Sequence, residues 1–264
     1  MIIKSPEEVK KYYQEQKTAK DYINRRFTEP LNVIEHEQQI FFLNHTIKKT
    51  NSKNIVEFAP GPARVTVDLD TTNITHGLSL DASESMLSIA KERMQKANKR
   101  WTFQQADLVN TNLNLKIKAD LIFCFRFLLH FHPKERTIIY QQAKSNLKEN
   151  GFLIFEAMNK TTVKPLRFLL GKKRYFVYDK LYTKEELKKE LSQNGFKVLK
   201  LHPILKKFYL QSLLSRPFKL LRQNKTAEKI IRHLEKIPST QPYEWVVVAQ
   251  KKNNYPNNEN KNIH

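Results

Sequence analysis

The chain has 264 residues, 40 % of them hydrophobic, with 47 Lys and Arg against 26 Asp and Glu for a formal charge of +21. This length suits one large domain, or one domain with an elaborated lobe, and the apolar share is enough to bury a sizeable core. A disulfide scaffold is excluded because Cys124 stands alone, and a helical membrane span because no stretch approaches the roughly 18–20 uninterrupted apolar residues it needs.

The chain opens Met1-Ile-Ile-Lys-Ser-Pro-Glu-Glu. It lacks the basic start and apolar stretch of a secretory signal, so a cytoplasmic location is expected. Residues 1–50 read as an N-terminal helical lid. Ser5-Pro6-Glu7-Glu8 joins a capping box to a proline in the first helical turn. A second helix near Asn32 to Lys48 carries Ile34, Ile40, Phe41, Leu43 and Ile47.

From Asn54 the pattern alternates strand and helix. Short apolar runs at Ile55–Ala59, Gly77–Leu80, Thr102–Gln105, Leu121–Phe125 and Phe152–Ala157 read as five strands. Between them, Ser83 to Lys96 sets Met86, Leu87, Ala90 and Met94 on one helical face. Another helix opens at Pro133 and runs to about Glu149, with Gly151 placed to take a positive φ at its end. Such alternation implies a parallel sheet covered on both faces. The stretch after Met158 reads as irregular until Thr183-Lys-Glu-Glu186, a second capping box whose helix ends near Gly195. Phe196–Leu201 and Tyr243–Gln250 are the sixth and seventh strands. Residues 202–242 form a helical insertion broken by Pro217 and Pro238. Residues 251–264, with six Asn and three Lys, read as a disordered tail.

The charge is uneven. Met158 to Lys236 hold 21 Lys and Arg against 6 Asp and Glu, so +15 of the +21 lies there. The plainer reading is a Lys- and Asn-rich chain solvating its helix faces; the alternative is a surface that meets nucleic acid or anionic lipid. RGG, zinc-knuckle and RNP-type signatures are absent, which disfavours nucleic acid.

The strongest local signal is Asn54-Ile-Val-Glu57-Phe-Ala59-Pro60-Gly61-Pro62-Ala63-Arg64, an apolar strand running into small residues and then a helix. Small residues there let backbone approach a ligand, with helix N–H groups aimed at it. Asp81 ends the next strand, 24 residues after Glu57. A carboxylate at roughly 20 residues reaches a ribose hydroxyl pair in dinucleotide folds.

The segment resembles motif I of the class I S-adenosylmethionine-dependent methyltransferases, an acid followed by Gly-x-Gly-x-Gly. Further blocks resemble that superfamily in order: Asp81-Ala82-Ser-Glu-Ser-Met86, Gln105-Ala-Asp107-Leu108, Asp120 to Phe131, and Leu147-Lys-Glu-Asn-Gly151-Phe-Leu-Ile-Phe-Glu156. Ala59 and Ala63 stand where the pattern has its first and third glycines, and two prolines flank Gly61. The resemblance covers about Ile55 to Leu201 and Tyr243–Gln250. It implies an α/β, Rossmann-like doubly wound sheet of seven strands in the order 3-2-1-4-5-7-6, the last antiparallel. The core would be residues 51–201 and 243–250, with N-terminal helices and the insertion as acceptor-side cap.

By position, the resemblance implies S-adenosylmethionine as cofactor and S-adenosylhomocysteine as product. Glu57 would organise the methionine amino group, and Ala59, Pro60 and Gly61 would line the methionine part. Asp81, beside Ala82, would accept from the ribose hydroxyls, and Met86 would lie against adenine. Asp107 would accept from the adenine amino group beside Leu108. Backbone near Cys124 and Phe125 would contact the methionine end. Tyr22 would close over the cofactor.

Methyl transfer needs nucleophile, carbon and sulfur in line more than covalent help. A base is required only if the acceptor loses a proton, and His130 is the candidate, with His132 beside it. Paired His-x-x-x-His or Cys-x-x-Cys is absent, so no metal site is expected. The expected activity is methyl transfer to an oxygen, nitrogen or carbon of a small-molecule acceptor. The rivals are an RNA- or protein-directed methyltransferase, one acting on a lipid at an anionic membrane surface, a binding module without chemistry, and a nicotinamide dehydrogenase, whose glycine pattern is missing.

Overall fold

A computed structural model of the chain describes residues 28–170 and 178–253. The capping box at Ser5, Tyr22, the segment 171–177 and the tail from Asn254 lie outside the described residues.

Helix α1, Pro30–Thr50, starts on its proline and stops where Asn51 turns left-handed at φ 50°. There its N–H returns to the Lys48 carbonyl, a common way to close a helix. The alternating segment follows with β1 (Asn54–Phe58), α2 (Arg64–Asp68), β2 (His76–Asp81), α3 (Glu84–Lys96), β3 (Thr102–Gln105) and β4 (Ala119–Cys124). It continues through a short 3-10 turn at Leu128–His130, α4 (Pro133–Asn146), β5 (Leu147–Asn159) and α5 (Lys160–Leu170). The remainder is β6 (Leu181–Tyr182), α6 (Lys184–Gln193), β7 (Phe196–Ile204), α7 (Phe208–Leu220), α8 (Asn224–Glu235) and β8 (Glu244–Lys251).

The strands form one sheet in the order β3-β2-β1-β4-β5-β8-β7, with β6 paired to the end of β5. All pairings are parallel except those of β8, which runs antiparallel to both β5 and β7. The expected order is therefore present, with the predicted sixth and seventh strands as β7 and β8, and the two-residue β6 added.

Successive strand residues point to opposite faces, and both faces are covered. Val56, Ile122, Phe155 and Val247 pack beneath Ile139, Tyr140 and Ala143 of α4 and Leu187 and Leu191 of α6. Ile55, Leu121, Phe123 and Ile154 face the other way, with Ile34, Leu43 and Ile47 of α1. Each such large side chain, fully buried, contributes about 1.5–3 kcal/mol. The capping residues read from sequence are in place, with Ser83 Oγ accepting from the Met86 N–H and Thr183 and Glu186 closing a reciprocal box.

Four local expectations are corrected. Helix α4 ends at Asn146, because Leu147 already pairs with Ala119 of β4. The left-handed residue nearby is Asn150 (φ 61°), not Gly151. Gly151 is there for space, since a Cβ would lie 2.9 Å from the Lys148 carbonyl oxygen. The stretch after Met158 is helical over Lys160–Leu170, where the sequence reads as irregular: Asn159 Oδ1 accepts from the Thr161 N–H (3.1 Å) and hydroxyl (2.8 Å), and α5 follows. Pro217 does not break the insertion but sits inside α7. Among the described residues no helix is long and apolar enough to cross a membrane. Among them, too, no group of three or more His, Cys, Asp or Glu is arranged to hold a metal ion.

Candidate functional site

The site lies at the carboxyl ends of β1, β2, β3 and β4, where an open parallel sheet leaves a crevice. Its floor is the loop between β1 and α2. Ala59, Gly61 and Ala63 all adopt left-handed backbone, at φ 54°, 55° and 55°. These are the three positions at which the family pattern has glycine. The alternation is thus kept although two of the glycines are alanine, at a cost of about 1–2 kcal/mol for each alanine. The Ala59 N–H donates to the Leu80 carbonyl (2.7 Å), tying the loop to the end of β2.

Asp81 closes that corner. Its Oδ2 accepts from the Gly61 N–H at 3.0 Å and its Oδ1 from the Ser83 N–H at 2.9 Å. Burial raises the carboxyl pKa above its ordinary value, and the N–H groups of Ser83, Gly61 and Ala82 oppose that rise. A carboxylate at a cavity wall with both oxygens held by backbone is fixed in orientation.

Asp107, in the turn after β3, is held in the same manner. Oδ1 accepts from the N–H groups of Val109 (3.0 Å) and Asn110 (3.3 Å), and Oδ2 from the Asn110 side-chain amide (2.9 Å). Asp81, Ala82, Met86, Asp107 and Leu108 all line one cavity together with Ala59, Pro60 and Gly61. Met86 also packs as core, at 3 % exposure. The two readings of that methionine are therefore compatible.

Glu57 lies deeper. Both the Thr66 and Ser79 hydroxyls donate to its Oε2, the latter at 2.8 Å. Burial pushes its pKa up to about 7, against the lowering effect of those hydroxyls and of Arg64. Arg64 is itself buried, and its guanidinium reaches His36 Nδ1 (2.5 Å) and Gln39 Oε1 (2.8 Å) on α1. His36 Nε2 in turn meets Asp68 at 2.7 Å, so α1 is wired to the helix that follows the loop.

The other end of the cavity follows β4. Phe125, Arg126, Phe127 and His130 line it, whereas Cys124 is a buried core residue one position short of the lining. Arg126 has a left-handed backbone (φ 61°), and its N–H donates to Glu156 Oε1 at 2.6 Å. Burial raises Glu156 to about 7, opposed by the Arg126 charge and N–H. His130 Nδ1 stands 2.9 Å from Asp179 Oδ1, which brings the 3-10 turn against the chain before β6. Arg167 of α5 pairs with the other Asp179 oxygen. Burial works against ionising Asp179, but the His130 hydrogen bond and the charges of His130, Arg126 and Arg167 win, and its pKa falls to about 2. His132 is the N-cap of α4 and leans on the Tyr178 ring at 4.2 Å.

Of the residues singled out in the sequence, Glu57, Ala59, Pro60, Gly61, Asp81, Ala82, Met86, Asp107, Leu108, Phe125 and His130 are brought together on one cavity. Arg64, Arg126, Glu156 and Asp179 were not singled out. Their partners lie dozens of positions away, and no local spacing marks them. The positive φ at Arg126, in a Phe-Arg-Phe run, has no signature in sequence.

Comparison with known proteins gives a consistent picture. Residues 55–151 match the family model described as methyltransferase domain. No curated protein matches the sequence. Among solved structures, the chain is similar to magnesium protoporphyrin IX methyltransferase from Synechocystis PCC 6803 with bound SAH: TM-score 0.65, 16 % identity, 92 % of this chain and 98 % of that one covered. It is also similar to a methyltransferase from Clostridium acetobutylicum ATCC 824, with TM-score 0.58 and 13 % identity over 83 % and 92 % of the two chains. A possible histamine N-methyltransferase from Thermotoga maritima gives 0.57 and 15 % over 92 % and 99 %. Residues 55–151 thus match a methyltransferase domain, and the likeness of the whole chain to these solved structures is one of fold.

Proposed function

We propose that the cavity binds S-adenosylmethionine and that the chain moves its methyl group in line onto an oxygen, nitrogen or carbon of a small-molecule acceptor, releasing S-adenosylhomocysteine. The observation that carries this reading is Asp81, a carboxylate fixed by the Gly61 and Ser83 N–H groups at the wall of a cavity that also holds Asp107. The donor set fits: two oriented carboxylates stand with Met86 and Leu108 as apolar surface for a base. When bound, the cofactor supplies an electrophilic methyl on a sulfonium that carries its own leaving group.

Asp81 would accept from both ribose hydroxyls, with Ala82 alongside. Asp107 would accept from the adenine amino group. Ala59, Pro60 and Gly61 would receive the methionine part, with Glu57 beneath, and the Phe125 backbone its far end. His130 is the base for an acceptor that must lose a proton. The Tyr178 carbonyl lies 3.3 Å from His130 Nδ1 and the Asp179 carboxylate stands 2.9 Å from the same nitrogen, so the tautomer with the proton there is favoured and Nε2 is the accepting nitrogen. Asp179 is thereby a positioning residue. The small-molecule class is supported by likeness to magnesium protoporphyrin IX methyltransferase and to a possible histamine N-methyltransferase.

Calorimetry with S-adenosylmethionine, S-adenosylhomocysteine and NAD tests the reading. Both sulfur compounds should bind and NAD should not, and Asp81→Ala should weaken binding by about 1–3 kcal/mol. Equal affinity in wild type and variant would remove Asp81 from the site and the reading with it.

A further inference from the structure

Helix α7 is inside out. It buries Gln211 and Ser215 while Leu210, Leu213, Leu214 and Leu220 are 43 %, 60 %, 41 % and 85 % exposed, and Leu221 just beyond is 67 % exposed. A helix on an ordinary protein surface does the reverse. The rotation is not accidental, because a polar hub fixes it. Gln211 Nε2 donates to Glu235 Oε1 of α8 at 2.5 Å, and the same carboxylate accepts from the Lys206 N–H (2.7 Å) and from Gln38 of α1 (2.7 Å). Phe208 stacks on Tyr243 at 4.4 Å and pins the first turn. With Gln211 held inward, the leucines at spacings of three and four must face out.

The face extends onto α5, which adjoins α7 where the Tyr209 hydroxyl donates to the Thr162 carbonyl (2.6 Å). There Phe168 and Leu169 are 91 % and 80 % exposed. Large apolar side chains exposed on two adjoining helices mark an interaction surface. The charge identifies the kind of partner. Lys206 to Arg222 contain five Lys and Arg and no acid, and α5 carries three more and again no acid. A second copy related by a twofold axis would set these like charges against each other. Nucleic acid would satisfy the charge and leave the leucines in water.

We propose that the outward face of α7, with the exposed end of α5, docks on an anionic lipid bilayer. The leucines enter the acyl boundary, and Lys207, Arg216 and Arg222 meet the headgroups. This placement does not depend on the methyl-transfer reading, since neither helix supplies a residue to the Asp81 end of the cavity.

Sedimentation of the full chain with phosphatidylcholine vesicles, with or without about a third phosphatidylglycerol, tests it. Binding should require the anionic lipid and weaken steeply as salt rises. Leu213→Glu with Leu220→Glu should abolish it. Arg216→Gln with Arg222→Gln should lower the partition constant by about fivefold for each charge removed. All variants should keep the wild-type melting temperature, because the altered side chains are exposed. Absence of the full chain from anionic vesicles overturns the proposal. So does sedimentation-velocity evidence of a dimer that the leucine pair dissolves, or vesicle binding in wild type that both double variants retain.

Discussion

The two ends of the cavity are built from different kinds of contact. At the Asp81 end, carboxylates are held by backbone N–H groups of nearby residues: Gly61 and Ser83 for Asp81, Val109 and Asn110 for Asp107. At the His130 end, side chains hold side chains across distant segments, as His130 and Arg167 do with Asp179. The first end depends on the pairing of β1 with β2 and on the short turns after β2 and β3. The second exists only when α5, the chain before β6 and the turn after β4 have all packed. The difference teaches that the end proposed to hold the nucleoside is shaped by strand ends and short turns, while the His130 end is a product of wider tertiary assembly.

The largest effect that would sharpen this contrast is at the assembled end. With an acceptor that must lose a proton, His130→Ala should lower kcat by about 10²–10⁴-fold and leave cofactor affinity unchanged. Asp179→Asn should lower kcat by a smaller factor. Unaltered turnover in His130→Ala would restrict this end to packing.

The next effect is electrostatic. Glu57 titrates at about 7 in the folded chain against a normal 4.5. Between those values the folded state binds more protons than the unfolded one, so stability falls as pH rises through that window. The full shift corresponds to about 3 kcal/mol. Urea denaturation should therefore show Glu57→Gln more stable than wild type at about pH 8 and little changed at about pH 4. The same sign applies to Glu156, raised for the same reason. A wild-type profile flat across the window would contradict it.

The smallest effect is at the preformed end. Ala59 sits at φ 54° and is only half-buried. Ala59→Gly should relieve the left-handed alanine and raise stability by about 1 kcal/mol, read as a higher melting temperature. Ala63→Gly should gain less, because the Ala63 methyl is packed with Ala90 and Met94 and its burial is lost.

How much of this was legible in the sequence follows the same division. Strand and helix alternation, the small-residue loop, Asp81 and Asp107 are all marked by local pattern, and the sheet order followed from the family resemblance. The pairing of His130 with Asp179 is not, since no periodicity connects residues so far apart. Nor is the orientation of α7. Spacings of three and four identify its apolar stripe, yet Gln211 turns inward to serve Glu235, a contact that requires α8 to be in place. Asn150 shows the same limit on a smaller scale. The glycine beside it drew attention, but pairing of Leu147 with Ala119 shifted the helix end and moved the left-handed residue by one.

Strand β8 is made last of the eight, yet it sits between β5 and β7, and among the described strands it is the only neighbour of β7. During synthesis, two lengths of unpaired backbone must therefore wait until residues 244–251 have left the ribosome. A chain stopped short of Glu244 would leave both waiting edges open, ready to pair with another molecule rather than with their own missing strand.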